Sequence, residues 1–325
     1  MAYTCIYCKE FISTNEASDS HIIPAALGGY QKLRFAVCRG CNVAISREVE
    51  TPFKDAWAWL VSSLDIRGRR GKPPPFKAQI NLVGKDVDIT VRSRARPPKI
   101  APIFVKGVGV HLVGPRAYVE TKMREFEKKQ PNRVWTEQDT DDLKNKDITF
   151  PINVDSLDAV FSRRLAAKIA FEFWAKRRSP KSVLGSEYDP VREFIRWGKM
   201  RRSAWSGLIA DETIITKNLP IPFPSHAVSF VAHPSESILG SVVVLFGLFY
   251  YGVILNFRYP LIASISDLTL TTPLLKKSAN PVLTASLHPP RIPWERIIKS
   301  DPGRVQRAWR FAVDRLKHSG LLTRG

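Results

Sequence analysis

The cysteines of this chain are confined to its first 41 residues and occur as two closely spaced pairs. Cys5 and Cys8 form one Cys-x-x-Cys pair, Cys38 and Cys41 form the other, and 29 residues separate them. A two-residue gap lets both thiolates of a pair bind one ion, and two pairs complete a tetrahedral four-thiolate set typical of structural zinc. Disulfides and free core thiols are the alternatives, and the lack of a secretory signal in the first residues disfavours disulfides. The spacing therefore predicts a structural Zn²⁺ that stabilises a small N-terminal segment.

A histidine lies between the two pairs, in the sequence SDSHIIPAALGG of residues 18–29, and Asn42 directly follows the second pair. Residues 42–50 then have the spacing of a helix and end in acidic side chains. The combination resembles the HNH endonucleases of the zinc-containing ββα-metal type, over about residues 1–60. The resemblance implies a treble-clef-like module of two short strands and a helix around one divalent ion, with zinc bracing the far side. It also implies hydrolysis of phosphodiester bonds in DNA.

The resemblance assigns a role to individual residues of this segment. His21 matches the general base, since a neutral histidine can accept a proton from water at physiological pH. Asn42 matches the asparagine that fixes the loop bearing this histidine. Glu50 takes the place of the usual final histidine ligand and Ser20 that of an acidic ligand, and a carboxylate oxygen suits Mg²⁺ or Mn²⁺. Asp19 would point away from a site that faces Ser20 unless the strand is bulged.

The unusual residues at positions 20 and 50 leave a second function open, a catalytically silent zinc-knuckle protein that binds nucleic acid. Both functions agree with the charge of the chain, because 50 Lys and Arg against 30 Asp and Glu give +20, with a pI near 10. Such a surface attracts polyanions, nucleic acid first and anionic membrane surfaces second. DNA is the expected partner, and RNA also fits the charge. The candidate phosphate contacts near the motif are Arg39, Arg47, Arg67, Arg69 and Arg70.

Length and composition predict a folded α+β protein. Apolar residues at 44% and charged residues at 25% exclude wholesale disorder, a coiled coil and a collagen-like chain. A length of 325 residues suggests two domains. We expect an HNH module over residues 1–65, a basic Gly/Pro-rich linker over 66–75, and a larger α+β domain of unknown role over 76–325. A cytoplasmic location is expected.

Four segments of the larger domain have clear patterns. Residues 76–91 alternate around Gly84 and predict a hairpin. Residues 156–178 predict an amphipathic helix whose basic side faces either solvent or DNA. Residues 238–255 carry no charge, but three glycines and many Val, Phe and Tyr favour two buried strands over a membrane span. His226 lies near these strands and is expected to be structural.

Overall fold

The structure is a computed structural model, and it describes residues 2–68, 71–82, 85–91, 103–105, 109–112, 116–129, 131, 148–199, 205–210, 221–233, 237–256, 267–273, 282–286 and 301–321. The predicted α+β class is confirmed. The chain divides into two compact units, one of residues 1–54 with 153–325 and one of residues 55–152. These limits differ from the expected boundaries near residues 65 and 75, because residues beyond 153 pack against the N-terminal segment. The functional division into an HNH module over residues 1–65, a linker over 66–75 and a larger domain over 76–325 stays a prediction.

The N-terminal part of the first unit consists of two antiparallel hairpins followed by helical turns. The first cysteine pair lies in the turn between the strands of the first hairpin. Cys38 ends the second hairpin and its thiol caps the following helix by accepting a hydrogen bond from the amide of Cys41. A π-helical turn and a short α-helix continue the chain. The elements are β1 Ala2–Thr4, β2 Phe11–Ser13, β3 Ala17–His21, β4 Lys32–Cys38, α1 Arg39–Ile45, the π-turn Ser46–Glu50 and α2 Thr51–Ala56.

The second hairpin contains a bulge. The pairing of β3 with β4 passes from Ser18 opposite Val37 to Ser20 opposite Leu33, so Asp19 faces three residues of β4. Phe35, in the middle of the bulge, has a φ of 55°, which is rare for a bulky residue. Ser20 is buried by this arrangement, whereas Asp19 is exposed and pairs with Lys32 at 3.2 Å. Asp19 therefore points away from Ser20, as the simple strand alternation predicts.

The second unit is built on a hairpin over residues 76–91, as predicted. Leu82 pairs with Lys85 at its tip, and Gly84 lies outside the described residues. Alternate residues of the two strands, Ala78, Ile80, Ile89 and Val91, form the core of the sheet. Described positions within 66–75 form neither helix nor strand. The elements are α3 Ala58–Ser63, β5 Phe76–Leu82, β6 Lys85–Val91, β7 Ile103–Val105, β8 Gly109–His111, α4 Arg116–Glu127 and β9 Ile148–Thr149, which pairs with β5.

The C-terminal part of the first unit combines a long buried helix with an antiparallel sheet. The sheet has the strand order β10-β13-β12-β11-β14-β15. The strands of this sheet are β10 Ser206–Leu208, β11 Ser225–His233, β12 Ile238–Leu245, β13 Phe249–Asn256, β14 Asp267–Pro273 and β15 Val282–Ser286. The helices are α5 Val160–Arg178, α6 Asp189–Trp197 and α7 Arg304–His318. Every residue of β12 and β13 is buried, so the uncharged run is a pair of core strands, as predicted. None of the helices in the described residues has the length and apolar character needed to cross a membrane.

Helix α5 differs from its prediction in two ways. It begins at Val160 rather than 156, because a 3-10 turn at Val154–Leu157 precedes it. Its middle, residues 164–175, is buried, because β4, the π-turn, β10, β12 and β13 all pack against the helix. Arg164 and Lys168 are therefore buried and do not form a basic side that faces solvent or DNA. Only the last turn of the helix exposes cations.

Candidate functional site

The four cysteines come together at one point. Their sulfurs all lie within 4.8 Å of one another, and the Sγ atoms of Cys8 and Cys38 are 3.8 Å apart. A tetrahedral zinc with Zn–S bonds of about 2.3 Å places its sulfurs about 3.8 Å apart. The hairpin turn after β1 presents one pair, and the junction of β4 with α1 presents the other. The predicted set therefore fits a tetrahedral metal ion.

Hydrogen bonds prepare these thiols for metal binding. The amide of Cys38 donates to Sγ of Cys5 at 3.3 Å, and the amide of Cys41 donates to Sγ of Cys38 at 3.3 Å. A hydrogen bond with the Cys41 thiol lowers the pKa of Cys5 to about 4, although burial opposes it. Burial raises the pKa of Cys8 to about 11. The cluster thus favours negative charge on Cys5, whereas the raised pKa values of Cys8 and Cys41 mean that a bound cation is needed to stabilise their thiolates.

His21 and Asn42 are connected through strand β3. His21 is the last residue of β3, and its side chain is half-buried. Asn42, in the second turn of α1, donates from Nδ2 to the hydroxyl of Ser18 at 2.7 Å, and Ser18 lies three residues before His21 on the same strand. The asparagine therefore fixes the strand that ends in the histidine. This agrees with the positioning role that the resemblance implies.

A buried lysine of α5, Lys168, contacts both His21 and Glu50. Lys168 has no exposed side-chain surface, and its Nζ donates to the carbonyl oxygens of His21 and, at 3.2 Å, of Ile22. The same Nζ lies 3.1 Å from a carboxylate oxygen of Glu50 and 3.1 Å from one of Glu172. Four oxygens thus surround one ammonium group. The ion pair with Glu50 places a fixed positive charge beside a predicted metal ligand.

The predicted ligand Ser20 belongs to the same network. Its hydroxyl donates to Glu172 at 2.7 Å, and the hydroxyl of Tyr7 donates to the same carboxylate oxygen at 2.8 Å. Ser20 is 1% exposed and Glu172 is fully buried. Tyr7 lies between the first two cysteines, so Glu172 links the metal-binding turn to strand β3. Ser20 is therefore engaged inside the protein rather than open to solvent.

Lys168 is charged at neutral pH. Burial alone would lower the pKa of Lys168, but the carboxylates of Glu172 and Glu50 outweigh it and raise the pKa above its ordinary value. Burial raises the pKa of Glu172, and the nearby Lys168, Ser20 and Tyr7 oppose this shift. A buried charge is tolerated only when it is paired and hydrogen-bonded. Lys168 and Glu172 pair with each other, the carbonyls of His21 and Ile22 accept hydrogen bonds from Lys168, and Ser20 and Tyr7 donate to Glu172. The ammonium and its carboxylates therefore act as one unit.

A second ion pair joins the π-turn to α5. Arg164 lies four residues before Lys168, and its guanidinium is 3.3 Å from Glu48, while Glu50 pairs with Lys168. A π-turn makes i to i+5 hydrogen bonds, and such turns are frequent at functional sites. Arg47 also lowers the pKa of Glu48, together with Arg164. The wide turn thus directs two carboxylates, two residues apart, to two cations spaced by one turn of α5.

The predicted phosphate contacts are spread over the chain. Arg39 is exposed at the start of α1. Arg47 is exposed in the π-turn and pairs with Glu48 at 2.9 Å, and Arg67 pairs with Asp65 at 2.9 Å. Arg69 and Arg70 lie outside the described residues. The contact of all five arginines with nucleic acid stays a prediction.

The predicted site for a divalent ion has no further ligands among the described residues. Apart from the four cysteines, no group of three or more His, Cys, Asp or Glu in this part of the chain comes together around a metal position. The divalent ion at Ser20 and Glu50 therefore also stays a prediction.

Sequence reasoning missed Lys168 and Glu172. Both interrupt an otherwise apolar stretch of α5, they are four residues apart, and Glu172 is the only acidic residue of this helix. An acid and a base at this spacing on an apolar face lie side by side, which is the signal that could have identified them. Their partners, however, are more than 110 residues away in sequence.

Two further residues brace the N-terminal segment and were not identified as such. Arg192 of α6 is buried and donates from Nε to the carbonyl of Ile6 at 2.7 Å, inside the first cysteine turn. Nε2 of His226 donates to the carbonyl of Leu27 at 2.9 Å, and Nδ1 accepts from the amide of Phe246. This neutral tautomer fits the burial that lowers the pKa of His226 to about 4. His226 is thus a structural residue, as predicted.

Comparison with known proteins agrees with this geometry. Residues 5–58 match the family model described as HNH endonuclease. No curated protein and no solved structure matches the chain. The matched residues run from the first cysteine through His21, Asn42 and Glu50 into α3, and so include the cysteine cluster and the strands that carry it. At residues 5–58, the chain therefore carries a segment that matches the HNH endonuclease family.

Proposed function

We propose that the protein is a metal-dependent endonuclease that hydrolyses phosphodiester bonds in DNA, with His21 as the general base. The observation that carries this proposal is the placement of His21 at the end of β3, in a strand that Asn42 fixes from α1, within the segment that matches the family model. His21 would take a proton from the attacking water. Asn42 and Lys168 would hold its backbone in place from both sides.

We assign a structural Zn²⁺ to the four cysteines. The donor set is complete without solvent, and all four ligands are protein thiols, as in structural rather than catalytic zinc sites. The ion would tie the first hairpin to the start of α1. It therefore contributes to the folding of the segment and not to the chemical step.

We assign the catalytic ion, Mg²⁺ or Mn²⁺, to Glu50. Its side chain is 20% exposed, while the hydroxyl of Ser20 is buried and already donates to Glu172, so Glu50 is the better placed of the two predicted ligands. When bound, the ion polarises the scissile phosphate and stabilises charge on the leaving oxygen. Lys168 orients the carboxylate of Glu50 from the protein side.

Cleavage of supercoiled plasmid DNA tests the proposal. The wild type should cut with Mg²⁺ or Mn²⁺ better than with Zn²⁺ or Ni²⁺, because carboxylate and water suit hard ions. His21→Ala should lose activity while keeping its zinc. Glu50→Gln should also lose it, since the amide keeps the shape but not the charge, whereas the matched variant Glu48→Gln should retain most of it. Activity of His21→Ala equal to that of the wild type would refute the assignment of the base.

The second candidate function is a catalytically silent protein that binds nucleic acid through its HNH segment. The ion pair between Lys168 and Glu50 favours it, because the ammonium already neutralises the carboxylate that would attract a metal. Under this alternative the wild type binds DNA but cuts it with none of the four metals. Measuring binding and cleavage on the same protein sample separates the two functions.

A further inference from the structure

Three cations belong to the last turn of α5 and to strand β4, two elements that are in contact. Lys176 and Arg177 belong to that turn, Arg34 belongs to the bulge of β4, and all three are exposed. Burial and then the charges of Arg177 and Arg34 lower the pKa of Lys176, and no carboxylate contributes to this shift. Nζ of Lys176 also lies 3.3 Å from Oε1 of Gln31. The protein thus holds like charges together on two separate elements, which costs stability in the absence of an anion.

Local packing holds these cations in place. The guanidinium of Arg177 lies 6.0 Å from the ring centre of Phe173, and that of Arg178 lies 5.1 Å from the ring of Trp174. Such packing orders a long side chain before any ligand arrives, which reduces the entropy lost on binding. On β4, Arg34 lies in the bulge, next to Phe35 with its positive φ, and bulges commonly re-aim side chains at functional positions.

Helix α5 connects these cations to the residues that contact His21. Lys168, Glu172 and Lys176 are spaced four residues apart and share one face of α5. Lys168 contacts the carbonyls of His21 and Ile22, and the amide of Ile22 donates to the carbonyl of Gln31 at 2.9 Å. Eight residues of helix span about 12 Å, which is three to four base steps of duplex DNA. Lys176 thus lies about two helical turns beyond Lys168, beside Gln31 in the β3–β4 turn.

We propose that Arg34, Lys176 and Arg177 form a binding surface for the phosphate backbone of duplex DNA, flanking the bond that the segment cleaves. This inference rests on the proposed function in taking DNA as the partner. The surface reads no sequence, because cations on phosphates position a duplex without distinguishing its bases. It sets the register of the duplex relative to His21.

Salt dependence of binding tests the surface. Binding of a short labelled duplex is measured by fluorescence anisotropy over a range of salt concentrations, in chelator-free buffer without divalent metal, so that no cleavage occurs. Each lost phosphate contact flattens the slope of log K against log salt by about 0.9. The variant Lys176→Gln/Arg177→Gln should therefore flatten the slope by about 2 and bind at least ~10-fold more weakly near physiological salt. The control Lys128→Gln/Lys129→Gln removes the same charge from an exposed pair after α4 and should leave the slope unchanged.

The outcomes distinguish the surface from the nuclease activity. Equal changes in both variants, or an unchanged slope in Lys176→Gln/Arg177→Gln, would overturn the proposed surface. If the variants show the predicted difference in slope but the wild type does not cut DNA with any of the four metals, the endonuclease is refuted and the surface is supported. Folding of the variants is checked by their thermal unfolding. At low salt Lys176→Gln/Arg177→Gln should be as stable as the wild type or more so, since like charges are removed.

Discussion

Removal of the Lys168 ammonium should destabilise the protein more than the loss of any surface charge. At 3.1 Å and an effective dielectric constant near 20, the attraction between the ammonium and the Glu172 carboxylate is about 5 kcal/mol. Lys168→Met removes this attraction and leaves the fully buried Glu172 without its cation, so this carboxyl either stays charged at a large desolvation cost or takes up a proton. Breaking a buried pair in this way costs about 3–5 kcal/mol. Loss of the ion pair with Glu50 adds less to this destabilisation, because Glu50 is partly exposed and water screens its charge.

The assay is urea unfolding, monitored by tryptophan fluorescence, of Lys168→Met, of Glu172→Gln and of the double variant Lys168→Met/Glu172→Gln. In the double variant the glutamine still accepts hydrogen bonds from Tyr7 and Ser20 but carries no charge, so it should recover about 1–3 kcal/mol relative to Lys168→Met. The control Lys122→Met breaks a surface pair with Glu125 and should cost less than about 1 kcal/mol. Additive losses in the double variant, or a loss for Lys168→Met as small as for Lys122→Met, would show that the buried network is not coupled.

The remaining predictions concern metal, positioning and pH. Elemental analysis should find about one zinc per chain, and Cys41→Ser should lose it, because a closed site of this kind needs all four thiolates. Asn42→Ala, which removes the hydrogen bond to Ser18, should lower the cleavage rate about 10–100-fold at constant zinc content, whereas a loss of zinc would indicate a structural role alone. The pKa of His226 falls from 6.5 in the unfolded chain to about 4 in the folded protein, so the unfolded state binds the extra proton between these values. Stability should therefore drop by about 3 kcal/mol as the pH falls from 6.5 to 4, and His226→Gln should flatten this dependence in urea titrations at several pH values.

Features set by short stretches of sequence could be predicted. The cysteine cluster depends on two tight turns, and the spacing within each pair already places two sulfurs on one side. The strands of 238–255 could be recognised because glycine and β-branched residues break an uncharged run into two pieces of strand length. The motif also predicts roles for His21 and Asn42, which stay predictions, and the hydrogen bond of Asn42 to Ser18 joins residues only 24 positions apart.

Features that depend on distant packing could not be predicted. Helical periodicity assigns Lys168 to the polar side of α5, and a polar side normally faces solvent. Whether it does so depends on what covers the helix, and here β4 and the π-turn cover it. The partners of Ser20 and Glu50 both belong to α5, so the sequence of residues 1–60 alone does not contain the groups that pair with the predicted metal ligands.

The contacts of Lys168, Glu172, Arg192 and His226 with the first 54 residues impose an order on assembly during protein synthesis. Lys168 lies 146 residues after its partner Ile22, and His226 lies 199 residues after Leu27. At 5–20 residues per second, the ribosome needs roughly 6–25 s to extend the chain from residue 54 to the end of α5. The HNH segment therefore leaves the ribosome long before the residues that complete it, and its final closure is a long-range and slow step. A nascent chain that ends before α5 would lack the brace behind His21, so the finished site forms only after that helix has been made.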